Sequence, residues 1–142
     1  MNGVVVAAQP LAVEEGVKVL KNGGNAVDAA VATAFTQTAV DPYNSGIAGL
    51  GVMHLYLSDS GEEKIVNFWD KAPLAARPDM FEFESETIGG LYWVKDLANQ
   101  MGYKAVGVPG TLAGLCAALD RYGTMRLSEV MQPAIRYARQ GV

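Results

Sequence analysis

Glu82, Glu84 and Glu86 alternate along one stretch, so in an extended chain their carboxylates could face one way and hold a hard cation. No DxDxDG-type ligand run accompanies them, and no metal site is assigned. Gly46, Gly49 and Gly51 are spaced GxxGxG. A dinucleotide fingerprint needs GxGxxG between a strand and a helix, so that the helix N-terminus meets the pyrophosphate. Here a helical pattern precedes the glycines and a strand pattern follows them, and no phosphate-loop lysine is present. The glycines read instead as a structural loop, led by Ser45, that lets another backbone come close. Cys116 lies in the apolar helical run Leu115-Cys116-Ala117-Ala118-Leu119 and reads as a small buried hydrophobe. His54 sits among strand formers and reads as structural. Glu14-Glu15 are adjacent on a helix, point in different directions and read as solvated.

The elements that position these residues follow from period and punctuation. Residues 3–8, with three consecutive valines, predict a short buried strand. Pro10 opens a helix that Gly23-Gly24 stops. Asn25 caps a second helix over 26–40, with Asp28 at its favourable end and Pro42 beyond it. That helix is apolar on most sides and so should be buried on most sides. Residues 51–58 and 63–68 predict a hairpin through Ser60-Gly61. Residues 70–87 predict an irregular surface segment with a turn at 78–81, followed by a flexible stretch from Gly89-Gly90. Residues 110–122 and 127–139 predict helices, the second with Ser128 as a candidate cap and Pro133 as a point of strain or a kink. The order β-α-α-β-β-loop-α-α is α+β. So few strands make a small sheet that needs further cover, so the chain is expected to be one piece, 1–142, of a larger folding unit.

At 142 residues, half of them apolar, the chain can bury a core. Its net charge of −4 and lack of a basic stripe argue against nucleic acid as a partner. Arg121, Arg126, Arg136 and Arg139 are interspersed with Asp120 and Glu129 and read as solvated helix faces. One cysteine excludes an internal disulfide. Neither a signal-peptide pattern nor an 18-residue apolar span is visible, so a cytoplasmic protein without membrane contact is expected.

Several blocks occur in a telling order: Gln9-Pro10-Leu11-Ala12, Gly23-Gly24-Asn25-Ala26-Val27-Asp28-Ala29-Ala30, Asp41-Pro42-Tyr43-Asn44-Ser45-Gly46-Ile47-Ala48-Gly49-Leu50-Gly51, Ala72-Pro73 and Val108-Pro109-Gly110-Thr111. Together they resemble the N-terminal part of the large subunit of γ-glutamyltranspeptidases, which are N-terminal-nucleophile hydrolases. The resemblance implies a four-layer αββα sandwich, of which this chain supplies only part. It places Ser45, Gly46, Gly49 and Gly51 in a loop near the active-site floor, where Ala48 and Leu50 depart from the family's glycines. In that family the block matching 69–73 reads Arg-Glu-x-Ala-Pro, and its arginine grips the α-carboxylate of the γ-glutamyl donor. Here Trp69 stands at the arginine position, Asp70 at the acid position, and Lys71 follows. A bidentate guanidinium has no equal in an indole or an ammonium, so γ-glutamyl specificity comes into question. Trp69 could line an apolar or aromatic acyl pocket, or serve as core at a strand end.

The resemblance implies no cofactor. It implies a small-molecule amide or γ-glutamyl-type substrate, and a small subunit whose N-terminal Thr, freed by self-cleavage, is the nucleophile with its own α-amine as base. No catalytic residue falls within this chain. Residues 1 and 2 are Met and Asn, and none of the threonines stands in a Thr-rich cleavage block. A higher oligomer stays open. So does a second reading, in which the chain is a catalytically inactive fragment or a binding protein that retains the fold.

Overall fold

Gln9 is extended and Pro10 occupies the first turn of helix α1, Pro10–Lys21, in the computed structural model, which describes residues 3–86 and 92–142. Proline lacks only an N–H that the first turn leaves unpaired anyway. Helix α2, Ala26–Val40, starts on a reciprocal cap. The Asn25 side chain accepts from the N–H groups of Val27 and Asp28, and the Asp28 carboxylate accepts from Asn25 N–H. Strands β1, Val52–Leu57, and β2, Glu62–Asn67, pair antiparallel with Met53 opposite Val66 and Leu55 opposite Lys64. Strands β3, Phe83–Glu86, and β4, Tyr92–Val94, form a second antiparallel pair. Helices α3, Thr111–Tyr122, α4, Leu127–Val130, and α5, Gln132–Gln140, complete the order.

The chain folds as two compact units, Met1–Trp69 with Gly110–Val142, and Asp70–Pro109. In the first, α2 is the hub and packs on α1, α3, α4 and α5. Val31, Ala32 and Phe35 are fully buried there, beside Leu115, Ala118, Leu119 and Val130. The α2 helix is therefore covered on most sides, as its composition predicts. The β1–β2 hairpin turns Met53, Leu55 and Val66 toward this core and leaves Val52, Tyr56 and Ile65 exposed on its outer face. The second unit holds the β3–β4 pair and turns on either side of it.

Four expectations need correction. Residues 3–8 form no strand, and Val4 and Val6 are 87% and 85% exposed, not buried. A run of valines favours a pleated surface, yet a strand exists only where a partner takes its hydrogen bonds. Residues 83–86 lie in β3 and not in an irregular segment. The helix expected over 127–139 is two helices meeting at Met131, a break that falls where strain or a kink is expected from Pro133, with Pro133 in the first turn of α5. Its cap is Arg126, whose backbone N–H donates to Glu129 Oε2 at 2.9 Å, so Ser128 is not the cap. The stretch at Gly89-Gly90 lies outside the described residues. No helix among the described residues is long and apolar enough to cross a membrane.

Candidate functional site

β2 ends at Asn67, and the next two residues are held in different ways. Phe68 N–H donates to the Gly51 carbonyl at 3.0 Å. Its ring lies against Gly51 and Gly114 and its backbone carbonyl against Gly110, and a Cβ at any of the three would overlap Phe68. Gly49 holds the other side of this arrangement, because its carbonyl accepts from Gly110 N–H at 2.9 Å and Thr111 N–H at 3.1 Å, at the start of α3. Trp69 N–H donates to Asn67 Oδ1 at 3.0 Å, and its side chain is 57% exposed. In the unit of residues 70–109, Asp70 is half-buried and sits against Gly107, where an added Cβ would stand 2.5 Å from Asp70 Oδ2. Lys71 is exposed, and its backbone bridges Val108 in antiparallel fashion, with N–H···O distances of 3.2 and 2.8 Å. An indole that faces outward can offer an apolar wall, but it cannot clamp a carboxylate with two parallel N–H bonds.

The glycine loop is tied to α2. Ser45 Oγ donates to the carbonyls of Gln37 at 3.2 Å and Asp41 at 3.1 Å, which closes the helix end. Gly46 has open space where a side chain would stand. The Asp41 carboxylate accepts from Gln9 Nε2, Asn44 Nδ2 and Gln37 Nε2 at 3.2, 2.9 and 3.1 Å. These bonds, that from Gln9 foremost, hold its carboxyl below the usual carboxylate range. The network closes the polar end of a groove of about 1000 Å³ between residues 3–8 and the small residues of α2, among them Ala26, Ala29, Ala30 and Ala34.

Two carboxylates with partners distant in sequence anchor this frame. Asp28 is fully buried and accepts four bonds, from Asn25 N–H at 2.8 Å, Thr124 N–H at 2.9 Å, Thr124 Oγ1 at 2.6 Å and Met125 N–H at 3.0 Å. Burial pushes its carboxyl up, but the bonds from Thr124, Met125 and Asn25 outweigh burial and leave it below its ordinary value. Glu15 is only 3% exposed, which corrects its reading as solvated. It accepts from Arg136 Nη2 at 2.7 Å, Lys18 Nζ at 2.8 Å and Tyr137 Oη at 3.4 Å, and so ties α1 to α5. The Asp28 capping position was visible from the motif. Neither distant partner set leaves a local signal.

The remaining candidates are dispersed. His54 Nε2 lies 3.2 Å from Glu63 Oε2 on the exposed hairpin face. Cys116 is half-buried rather than fully enclosed. Glu82 pairs with Lys95 at 3.3 Å, Glu84 is exposed, and the Glu86 side chain lies outside the described residues. Among the described residues no group of three or more His, Cys, Asp or Glu side chains could hold a metal ion.

A family model described as gamma-glutamyltranspeptidase matches residues 12–142. The chain is 45% identical over 139 residues to the acylase ACY 1 proenzyme of Pseudomonas sp. (strain V22), covering 98% of this chain and 25% of that protein. It is 43% identical over 141 residues to the glutathione hydrolase proenzyme of Pseudomonas sp. (strain A14), covering 99% of this chain and 23% of that protein. It thus spans about a quarter of the length of the curated relatives it matches. Among solved structures, the γ-glutamyltranspeptidase of Helicobacter pylori superposes with a TM-score of 0.84 at 43% identity, over 96% of this chain and 37% of that one.

Proposed function

Because the chain belongs to the γ-glutamyltranspeptidase family, we propose that it is the N-terminal section of an amidohydrolase or acyltransferase whose acyl group is not γ-glutamyl. The nucleophile is an N-terminal Thr exposed by self-cleavage in sequence beyond these residues. Its Oγ attacks the amide carbonyl, its α-amine takes the proton, and the amine leaves with that proton. Water or a second amine then takes the acyl group. The site needs no metal or cofactor. The expected fold of the whole is the four-layer αββα sandwich, completed by strands from the small subunit.

The choice of acyl group rests on reading Trp69, by its register with Ala72-Pro73, at the position of the carboxylate-gripping arginine. The observation that supports it is that Trp69 is more than half exposed directly after the fixed Phe68. An indole surface suits an apolar or aromatic acyl chain and discriminates against a charged α-amino acid head group. The similarity to an acylase proenzyme supports the same reading.

The test is a donor comparison on the complete protein. Kinetics with a γ-glutamyl anilide and with an aromatic acyl amide of the same leaving group should favour the aromatic donor in kcat/KM. A preference for the γ-glutamyl donor would overturn the assignment of acyl class.

A further inference from the structure

Phe68 is the residue whose environment the reaction does not explain. Gly51 before β1 and Gly114 one turn into α3 leave the space that its ring fills, and Gly110 before α3 leaves room for its backbone carbonyl. Close packing of this kind fixes a side chain in one orientation, since any added methylene must displace it. The backbone on either side is fixed too. Phe68 N–H is bonded to Gly51 C=O, and the Trp69 N–H is bonded to Asn67 Oδ1. Phe68 is half-buried against the core of α2 and α3, while its neighbour Trp69 turns outward.

We infer that Phe68, its ring keyed into the Gly51–Gly114 slot and its backbone seated on Gly110, is a positioning residue that sets the direction in which Trp69 is presented to the acyl chain. The inference rests on the proposed role of Trp69. It adds that the specificity of the segment depends on a lock one residue away that never touches substrate. The same geometry explains why Gly110 and Gly114 must stay without side chains although Gly114 lies inside a helix, where glycine is unfavourable.

The test uses the complete protein labelled with 5-fluorotryptophan. The 19F resonance lost in Trp69→Phe identifies that ring. Phe68→Leu should shift and broaden this resonance and leave the other tryptophan lines in place. Donor kcat/KM should fall on the order of tenfold or more, with acceptor KM unchanged, because a misplaced contact loses rate without loss of fold. Phe68→Met, which removes the ring at nearly the volume of Leu, should repeat the Phe68→Leu changes in both signals. Gly114→Ala should mimic Phe68→Leu alone and add little in the Phe68→Leu background, since residues sharing one cavity are not additive. An unmoved Trp69 resonance in Phe68→Leu overturns the positioning role, as does a uniform shift of every tryptophan line. Should Gly114→Ala fail to fold, the Leu and Met variants at 68 decide alone. If wild-type protein turns over no amide donor while the Trp69 resonance still follows Phe68, the lock stands and the substrate reading falls.

Discussion

Trp69 carries the question of specificity at the scale of a single residue. A guanidinium at this position would offer two parallel donors to a carboxylate, and the indole offers one N–H and a broad apolar face. Trp69→Arg in the complete protein is therefore expected to raise kcat/KM for a γ-glutamyl anilide by at least about tenfold, the scale of one charge-assisted hydrogen bond. It should lower kcat/KM for an aromatic acyl amide. Steady-state kinetics on the two donors checks both signs. An unchanged or lower γ-glutamyl value would remove Trp69 from the clamp position. The sequence offers Trp69-Asp70-Lys71 only as a block counted back from Ala72-Pro73. Its division of labour leaves no local signal. Phe68 turned inward, Asp70 against Gly107 and Lys71 bridging Val108 depend on residues about forty positions on, and no local pattern encodes those meetings. Glu15 shows the same limit: its partner Arg136 lies 121 residues away, so two adjacent glutamates looked equally solvated.

At the scale of elements, helix and hairpin existence could be read directly. Asn25 and Asp28 form a capping box, Gly23-Gly24 stops α1, and Ser60-Gly61 turns the first hairpin. The β3–β4 pair was hidden because its strands are short and one of them is rich in acids. Asp28 does more than cap α2, since it also fixes the turn from α3 to α4 through Thr124 and Met125. Asp28→Asn keeps the size but removes the charge and aims an NH₂ at groups that donate. It should destabilise by about 2–4 kcal/mol at neutral pH. The sign with pH follows from the lowered carboxyl. The ordinary value is 3.8, and the folded value lies below it. The stabilisation is complete above the ordinary value and is lost as pH falls through the folded one. Denaturant midpoints of wild type and variant should therefore differ most at pH 6–7 and draw closer as pH falls below 3.8. A gap that stays constant across this range would mean that the ionised carboxylate is not what holds the turn.

At the scale of the whole molecule, apolar surface points to missing cover. Val4 and Val6 in the 3–8 segment, and Val52, Tyr56 and Ile65 on the outer hairpin face, are exposed. Residues 3–8 also line an apolar groove. Isolated strands and two-stranded sheets are marginal in water without a second layer. A chain of residues 1–142 alone is thus expected to bind a hydrophobic dye or to associate, and to show no amidase activity. A monodisperse monomer that unfolds cooperatively and excludes the dye would contradict this. The decisive prediction concerns the complete gene product. If the proposed chemistry holds, denaturing intact-mass analysis should find two polypeptides, with the lighter one beginning at Thr. Replacing that Thr with Ala should leave a single uncleaved chain with no turnover. These two results belong together, because in this class of chemistry the residue freed by cleavage is also the nucleophile. Cleavage that survives the Thr→Ala change would mean that an outside protease made the cut, and the acyl-enzyme step would lose its basis. A single chain with full turnover would place the nucleophile elsewhere and reduce the likeness of the 3–142 segment to one of fold.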